Sequence, residues 1–193
     1  MPTDRRIARM RRVLENRKTD LTVVCENIHD PHNVSAILRS CDAVGIETVR
    51  LLYNTTAFPK LGKKSSASAK KWIETVPFGD AESLRDALKS QSFIIYATHL
   101  EAEAVSIHDI DWTQPSAIVV GNEHNGVSES ILAIADRVVY VPMFGMIQSL
   151  NVSVATAVIL YEACRQRSIA GCYPNTRRTA AELQKLLDNW KEK

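Results

Sequence analysis

Three groups of polar residues, far apart in the chain, fall where the sequence predicts that strands end. They are Asn33 with Arg39, the triplet 121–123 (Gly-Asn-Glu), and Ser149 with Asn151. The carboxyl ends of parallel strands lie along one edge of a sheet, where ligands commonly bind. Amide, carboxylate and hydroxyl groups exchange hydrogen bonds, and Arg39 adds a permanent positive charge. The pattern therefore indicates a polar binding site assembled from three distant segments.

Each group also has a simpler structural explanation. Asn33 and Asn151 are suited to cap the helices predicted near them, because their side chains can accept hydrogen bonds from backbone amides. Arg39 can form a surface ion pair, and Glu123 can be an acidic residue of a turn. Taken one at a time, the residues do not decide between these roles and a ligand site.

The third group lies in a run, residues 142–158, that joins a strand end, a loop and a helix start. β-branched residues before Pro142 predict a short buried strand, which proline ends because it cannot donate a ladder hydrogen bond. Gly145 permits a tight turn, and the helix predicted over 151–167 can be capped by Ser149 or Asn151. The first residues of this helix are small, which permits close approach to its backbone.

An alternating series of strands and helices must position these groups. The run 116–121 is apolar throughout, as in a central strand covered on both faces. The strands are predicted at 21–28, 48–53, 93–98, 116–121 and 137–142, with a weaker edge strand at 75–78. The first helix is predicted at 3–18, and a second ends at about residue 44. Further helices are predicted at 81–90, 128–135, 151–167 and 179–193, and residues 99–114 are predicted to be irregular. This order indicates an α/β fold with a mostly parallel sheet and helices on both faces.

Three segments resemble the signatures of the knotted SPOUT methyltransferases, in the TrmH-type branch that methylates tRNA ribose. They read Asn33-Val-Ser-Ala-Ile-Leu-Arg39, Val120-Gly-Asn-Glu123 and Met143-Phe-Gly-Met-Ile-Gln-Ser-Leu-Asn-Val-Ser153. The similarity covers nearly all of residues 5–170 and implies a deep C-terminal trefoil knot. The chain then divides into a basic N-terminal helix (1–20), the methyltransferase domain (21–167), and a connector with an amphipathic helix (168–193).

The resemblance implies an activity. A methyl group would pass from S-adenosylmethionine to a ribose 2′-hydroxyl of tRNA, at the D-loop guanosine, nucleotide 18. The alternatives are 2′-O-methylation of another tRNA nucleotide or of ribosomal RNA, and a non-catalytic RNA-binding module. The joint presence of Asn33, Arg39, Glu123 and Asn151 argues against the last alternative, because binding alone does not require all four.

The resemblance also assigns catalytic roles to Arg39, Asn33, Glu123, Ser149 and Asn151. Arg39 would act on the ribose hydroxyl in one of two ways. It would be the activating base usually proposed for the family, or a positive charge that stabilises the alkoxide while a phosphate takes the proton. Asn33 would orient Arg39 or the ribose, and the other three residues would tie three loops together beneath the cofactor.

Cofactor contacts and assembly follow from the same resemblance. Family members work as homodimers, and the apolar face of the helix at 151–167 would form part of the interface. Loops at the ends of the later strands would hold the cofactor through Thr98, Leu100, Gly121, Glu123, Val141, Met146, Ser149 and Leu150.

Residues 3–18 combine an apolar stripe with a dense set of cations. Their cations are Arg5, Arg6, Arg9, Arg11, Arg12, Arg17 and Lys18. Such a face is typical of contact with a phosphate backbone, although a solvated surface helix has the same pattern. The predicted RNA contacts are Arg5, Arg9 and Arg12, together with His32 and the loop residues Lys63 and Lys64.

Composition and motif spacing argue against several other classes of protein. The 193 residues, 45% hydrophobic and 24% charged, suit one globular domain with terminal additions. The net charge of only +2 means that RNA affinity must come from local clusters. His29 and His32 lack a second pair with metal-ligand spacing, and Ala57 stands where a Walker loop needs glycine.

The cysteine spacing and the absence of targeting signals predict a cellular location. The four cysteines are too far apart for a CxxC pair, and no secretory signal precedes them. No apolar run approaches the roughly 20 residues of a membrane-spanning helix. A cytoplasmic protein with reduced thiols is therefore expected.

Overall fold

The chain folds around one seven-stranded, fully parallel sheet with strand order β3-β2-β1-β6-β4-β7-β5. The structure is a computed structural model and describes residues 2–61, 69–101, 103–123, 125–174 and 178–192. The strands are β1 (Leu21–Glu26), β2 (Thr48–Leu52), β3 (Glu74–Phe78), β4 (Ile94–Thr98), β5 (Val105–Ser106), β6 (Ser116–Val120) and β7 (Arg137–Tyr140). The predicted α/β class with a parallel sheet is confirmed.

The helices cover both faces of this sheet. They are α1 (Asp4–Glu15), α2 (Pro31–Ala43), α3 (Ala69–Trp72), α4 (Ala81–Lys89), α5 (Glu129–Leu132), α6 (Val152–Ile169) and α7 (Ala180–Lys191). Successive residues of β1 point to opposite faces, so Val23 packs in the core formed with α2 and α6, whereas Val24 packs in the core formed with α4 and α5. The predicted two-sided arrangement is therefore confirmed.

The middle of the sheet is the most deeply buried part. Every residue of β1 and of β6 is buried, and β6 lies fourth of the seven strands. This confirms the prediction of a central strand from the apolar run at 116–121. The weaker prediction at 75–78 is also confirmed as an edge strand, where Pro77 is tolerated because one side of the strand needs no hydrogen-bonding partner.

Some predicted elements differ from the structure in their bounds or in kind. Residues 99–114 were expected to be irregular, but they contain β5 and a short 3-10 turn at Ile107–Asp109. A strand of only two residues is too short to show alternation in the sequence. The helix predicted to end at 167 continues to Ile169 and ends before Gly171, whose φ of 72° favours glycine.

The two terminal helices pack against each other. Met10 and Leu14 of α1 form a small core with Leu187 and Trp190 of α7. The predicted capping box of α7 is confirmed, since the side chains and backbone of Thr179 and Glu182 bond reciprocally. This pairing gives the final helix the docking partner that the sequence did not identify. The trefoil knot and the three-part division of the chain stay predictions.

Arg17 and Lys18 correct the prediction of an entirely exposed basic face. Both residues lie beyond the end of α1 and are almost fully buried. Arg17 donates to the carbonyl of Ile46 and the carboxylate of Asp42, and the Lys18 amino group contacts the carbonyl of Cys172. Charge runs in a sequence do not distinguish such buried pairing from solvent exposure.

Within the part of the chain that the structure describes, no helix combines the length and the apolar character needed to cross a bilayer.

Candidate active site

The loops after β1 and β6 and the start of α6 meet at the carboxyl edge of the sheet, where Asn33 joins them. The Asn33 side-chain amide donates to Glu123 Oε1 at 2.8 Å, and its carbonyl oxygen accepts from Asn151 Nδ2 at 3.0 Å. Asn33 is buried, with 8% of its surface exposed. The structure therefore brings together one residue from each predicted polar group.

The first turn of α2 explains how Asn33 comes to face the other loops. Asp30 caps this helix by accepting from the backbone amide of His32, and Pro31 occupies the first helical position. The simpler interpretation of Asn33 as the N-cap is therefore wrong. Because Asp30 satisfies the helix end, the Asn33 side chain is available to bond across to Glu123 and Asn151.

Glu123 is the acceptor at one end of this chain of hydrogen bonds. In addition to the Asn33 amide, it accepts from the backbone amides of His29 at 3.3 Å and Asp30 at 3.4 Å. Partial burial raises the pKa of the Glu123 carboxyl, but the hydrogen bonds from Asn33 and the backbone outweigh it, so the pKa lies below its ordinary value. Glu123 is thus an ionised acceptor that joins the loops after β1 and β6, and its lowered pKa makes it a weak base.

Asn151 combines the two roles that the sequence left open. Its Oδ1 caps α6 by accepting from the backbone amide of Ser153 at 2.9 Å, while its Nδ2 donates to Asn33. Ser149, the other predicted cap, is exposed in the preceding loop. One amide thereby fixes both the start of α6 and its position relative to α2.

Arg39 lies further along α2 than Asn33. It follows Asn33 by six residues on α2, about 9 Å along the helix axis. Six residues also turn the helix by about 240°, so the two side chains leave on different faces. Asn33 is buried and Arg39 is exposed. The hydrogen bonds of Asn33 go to Glu123 and Asn151, and the predicted orientation of Arg39 by Asn33 stays a prediction.

Gly121 sits where the chain folds back tightly after β6. A Cβ atom at this position would lie 2.1 Å from the carbonyl carbon and oxygen of Gly126, closer than any real contact. Asn122 and Gly126 form a bridge across the turn, and Gly126 has a φ of 68°. Only glycine at 121 allows this fold, which brings Glu123 back towards α2.

Asn27 joins the site loops in a way that the sequence analysis missed. Its backbone has a φ of 46°, a left-handed conformation that asparagine tolerates better than most residues. The side chain donates to Asn54 Oδ1 at 2.8 Å and accepts from the backbone amides of Asn54 and Thr55. The backbone carbonyl of Asn27 accepts from the side-chain amide of Asn122 at 3.0 Å. No sequence signal indicated this role, because Asn27 falls inside the strand predicted at 21–28, whereas β1 ends at Glu26 in the structure.

A cleft of about 170 Å³ opens at the ends of β4 and β7, beside the start of α6. Four predicted cofactor contacts line it: Thr98, Leu100, Val141 and Leu150. The cleft residues that the prediction did not include are His99, Val139, Tyr140, Met143, Ala155 and Ile159. The small side chain of Ala155 agrees with the expectation that the first turns of this helix permit close approach.

The other predicted cofactor contacts lie beside the cleft or outside it. Gly121 and Glu123 belong to the neighbouring loop, which approaches the cleft where Gly126 faces His99. Met146 is 98% exposed, and Ser149 is exposed in the same loop. The structure therefore gathers half of the predicted set around one cleft and places the rest in adjoining loops.

The predicted RNA contacts are exposed wherever the structure describes them. Arg5, Arg9 and Arg12 lie at i, i+4 and i+7 of α1, while Met10 and Leu14 bury the opposite side of that helix. His32 is exposed at the start of α2. Lys63 and Lys64 lie outside the described residues. Among the described residues, no three His, Cys, Asp or Glu side chains are grouped as metal ligands would be.

Several exposed apolar side chains lie on α6 and in the loop before it, next to the site. Val154, Val158 and Tyr161 recur at i, i+4 and i+7 on α6 and are 38% to 58% exposed. Phe144 and Ile147 of the preceding loop are 99% and 74% exposed. Where exposed apolar side chains form a large patch, the patch commonly marks a site of association with another molecule.

Comparisons with known proteins agree with the signatures at this site. Residues 20–161 match the SpoU rRNA Methylase family. The chain is 44% identical over 191 residues to a tRNA (guanosine(18)-2′-O)-methyltransferase of Thermus thermophilus, covering 99% of this chain and 98% of the relative.

Solved structures show the same fold. A tRNA-modifying enzyme of A. aeolicus, TrmH/SpoU, has a TM-score of 0.90 and 41% identity, covering 97% of this chain and 95% of that one. The methyltransferase AviRb from Streptomyces viridochromogenes, solved in complex with AdoMet, has a TM-score of 0.70 and 28% identity, covering 77% of this chain and 60% of that one. By the extent of these matches, the chain belongs to the SpoU methylase family.

Proposed function

We propose that this protein is an S-adenosylmethionine-dependent methyltransferase that modifies the ribose 2′-hydroxyl of guanosine at nucleotide 18 of tRNA. The observation that carries this proposal is the 44% identity over almost the full length of a relative with that activity. The Asn33–Glu123–Asn151 network supports it, because the three signature segments meet in one place. The cytoplasm, where tRNA is found, is the location that this substrate implies.

The reaction requires a weak nucleophile to be activated. S-adenosylmethionine, when bound, supplies a methyl group on a positively charged sulfur. The ribose 2′-oxygen forms the new bond to the methyl carbon as the carbon–sulfur bond breaks, and the hydroxyl proton leaves. A ribose hydroxyl holds its proton at neutral pH, so the protein must stabilise the negative charge that develops on oxygen.

Arg39 is the residue we assign to this charge. A guanidinium does not lose its proton in proteins, so the positive charge is present throughout the reaction. Arg39 is exposed on α2, the helix that also carries His32. A phosphate of the RNA is then the candidate proton acceptor, while Asn33, Glu123 and Asn151 hold the loops in place.

The cleft at the ends of β4 and β7 suits the adenine part of the cofactor. Its lining is mainly apolar, with Leu100, Val141 and Leu150 among its side chains. Its volume of about 170 Å³ is smaller than the roughly 300 Å³ at which drug-sized sites begin. The rest of the cofactor would therefore lie against the adjoining loops that contain Gly121, Met146 and Ser149.

The exposed apolar surface of α6 supports a homodimer. A second copy would cover Val154, Val158 and Tyr161, together with the loop residues Phe144 and Ile147. Because this loop adjoins the cofactor cleft, the second copy would also enclose the open side of the site. Light scattering should give twice the chain mass for the wild type, and Val158→Asp should shift the protein to monomer. A monomeric wild type would exclude this part of the proposal.

Ribosomal RNA is the second candidate substrate, because the matching family model is described by that RNA. The test is to incubate the purified protein with labelled S-adenosylmethionine and either unmodified tRNA transcript or ribosomal RNA. Nuclease digestion and mass spectrometry then locate the methyl group. A 2′-O-methyl at the D-loop guanosine supports the proposal. Methylation of ribosomal RNA alone would transfer the activity to the second candidate, and no transfer to either RNA would favour a binding module.

A further inference from the structure

A second cleft, of about 380 Å³, lies where α1, α2, α3 and α7 meet. Its lining includes Arg6, Arg9 and Met10 of α1, Asp42 of α2, Trp72 of α3 and Trp190 of α7. No residue of the three signature segments lines it. The methyl-transfer chemistry therefore does not explain why this cleft combines two tryptophans with two arginines.

The floor of the cleft is aromatic. The rings of Trp72 and Trp190 lie 4.8 Å apart between centroids, at an angle of 53°. Trp190 is nearly buried and has the Arg17 guanidinium 5.5 Å from its ring centroid. Trp72 is half-buried and borders the cleft. Trp190 and Arg17 thus support Trp72, which presents aromatic surface to a molecule entering the cleft.

The rim and wall of the cleft are charged. Arg6 and Arg9 are exposed on α1 and place two cations at the rim. Asp42, on the wall, is half-buried and fixed by a 2.6 Å hydrogen bond from Arg17. Arginines bind phosphate, aromatic rings stack on unpaired bases, and a carboxylate accepts from the amino group of a base. The cleft therefore offers groups that can contact a phosphate, the face of a base and the edge of a base.

The position of the cleft relates it to the site of methylation. Asp42 follows Arg39 by three residues on α2, about 4.5 Å along the helix axis, and residues at this spacing are neighbours on one side of a helix. A nucleotide held at Asp42 and Trp72 would therefore lie close to a ribose held at Arg39. Arg6 and Arg9 of α1 line the same cleft as Asp42 and Trp72.

We propose that this cleft binds an unstacked base of the RNA substrate, from a nucleotide near the one that is methylated. The base stacks on Trp72 and presents an amino group to Asp42, while Arg6 and Arg9 hold its phosphates. The inference rests on the proposed function only in requiring an RNA substrate. It makes the cleft a determinant of substrate choice, because a fully stacked duplex cannot supply such a base.

The first test follows stacking directly by tryptophan fluorescence. The protein has three tryptophans, and Trp112 is fully buried, so changes on RNA binding report on Trp72 and Trp190. Unmodified tRNA transcript should quench the emission, whereas polyphosphate, a polyanion without bases, should not. Trp72→Phe should lose most of the quenching. Equal quenching by polyphosphate and tRNA would overturn the inference.

The second test uses steady-state kinetics. Trp72→Leu should raise the KM for tRNA by roughly 5- to 100-fold, the range expected for one stacked base. Trp72→Phe retains an aromatic ring and should restore the KM to within a few fold of wild type. In both variants, kcat at saturating tRNA and the affinity for S-adenosylmethionine should stay near wild type. An unchanged KM in a folded Trp72→Leu protein would refute the proposal.

Two variants at exposed arginines provide a further test if the Trp72→Leu protein does not fold. Arg9→Gln should raise the KM for tRNA and reduce its salt dependence, whereas Arg85→Gln, an exposed cation on α4, should change neither. If Arg9→Gln behaves like Arg85→Gln, the rim does not contact RNA and the inference fails.

The two proposals can fail separately. If nucleotide 18 is methylated normally but tRNA does not quench the tryptophan fluorescence, the cleft inference fails and the proposed function stands. Quenching by tRNA without methylation would remove the proposed function and leave the cleft as an RNA-binding feature.

Discussion

Asn33 shows how much a single side chain decides at this site. It must donate to the carboxylate of Glu123 and accept from the amide of Asn151 at the same time. An amide side chain does this with two separate atoms, because its nitrogen donates while its oxygen accepts. Aspartate would place a second negative charge against Glu123, and leucine would leave two polar groups without this partner. The residue therefore determines whether the three loops meet.

Arg39→Ala is the residue change that separates chemistry from binding. Because Arg39 is exposed and does not line the cofactor cleft, the variant should bind S-adenosylmethionine nearly as well as wild type. Its rate of methyl transfer should fall by roughly 100-fold or more, since the charge on the 2′-oxygen loses its stabilisation. Single-turnover rates and calorimetric binding measure the two effects. Lost cofactor binding in Arg39→Ala would contradict the assigned role.

Among the helices, strands and loops, α2 and α6 carry the site, and the loops between strands determine its shape. Both helices pack on the same face of the sheet. Each begins after a residue type that commonly caps helices, Asp30 for α2 and Asn151 for α6. The loop after β1 is further tied to the loop after β2 by the side chain of Asn27. The segment that carries Lys60 begins at this second loop.

Asn27 variants test that connection. Asn27→Gly keeps the left-handed backbone but loses the side-chain hydrogen bonds, whereas Asn27→Ala also introduces backbone strain of about 1 kcal/mol. Both variants should raise the KM for tRNA, because Asn27 positions the loop after β2, where the segment with Lys60 begins. The affinity for S-adenosylmethionine should change little, because Asn27 does not line the cofactor cleft. Thermal unfolding should show Asn27→Ala as the less stable of the two. Equal stability would indicate that the backbone conformation carries no cost.

A pH effect is expected within α6. Hydrogen bonds from Arg165, opposed by burial and supported by Gln166, lower the pKa of Glu162 from 4.5 to about 2. A lowered pKa stabilises the folded state above pH 4.5, and this contribution is lost as the pH falls towards 2. Glu162→Gln should therefore cost about 1 kcal/mol at neutral pH. The difference from wild type should shrink below pH 4.5 in urea unfolding curves, and a constant difference down to pH 3 would contradict this.

The sequence predicted elements better than it predicted contacts. Runs of apolar and β-branched residues located β1 and β6, and a loop glycine followed by cap residues located the start of α6. These signals could not locate β5, which has two residues, or the burial of Arg17, which depends on Asp42 and Ile46. The role of Asn27 was hidden for the same reason, since its partners belong to a different loop. Signature motifs identified Asn33, Glu123 and Asn151, but the hydrogen bonds that join them required the structure.

For the whole molecule, charge is distributed unevenly. The net charge is only +2, yet Arg5, Arg9 and Arg12 are all exposed on α1. The pairing of α1 with α7 fixes this basic helix to the domain, so its cations have a defined position relative to the site. RNA affinity should therefore depend strongly on this helix.

Replacing Arg5, Arg9 and Arg12 together by glutamine tests this dependence. The variant should bind tRNA more weakly at low salt, and the slope of log affinity against log salt should fall by about 2 to 3, because three phosphate contacts are lost. Its unfolding temperature should stay near wild type, since these side chains are exposed. Filter binding over a salt series gives the slope, and an unchanged slope would show that α1 does not contact RNA.

The proposed methyl acceptor is the 2′-hydroxyl of guanosine at nucleotide 18 of tRNA. The most direct measurement compares methyl transfer to two otherwise identical tRNA transcripts, one with guanosine and one with 2′-deoxyguanosine at that nucleotide. We expect one methyl group per molecule for the guanosine transcript and none for the deoxy transcript. Equal methylation of both transcripts would contradict it.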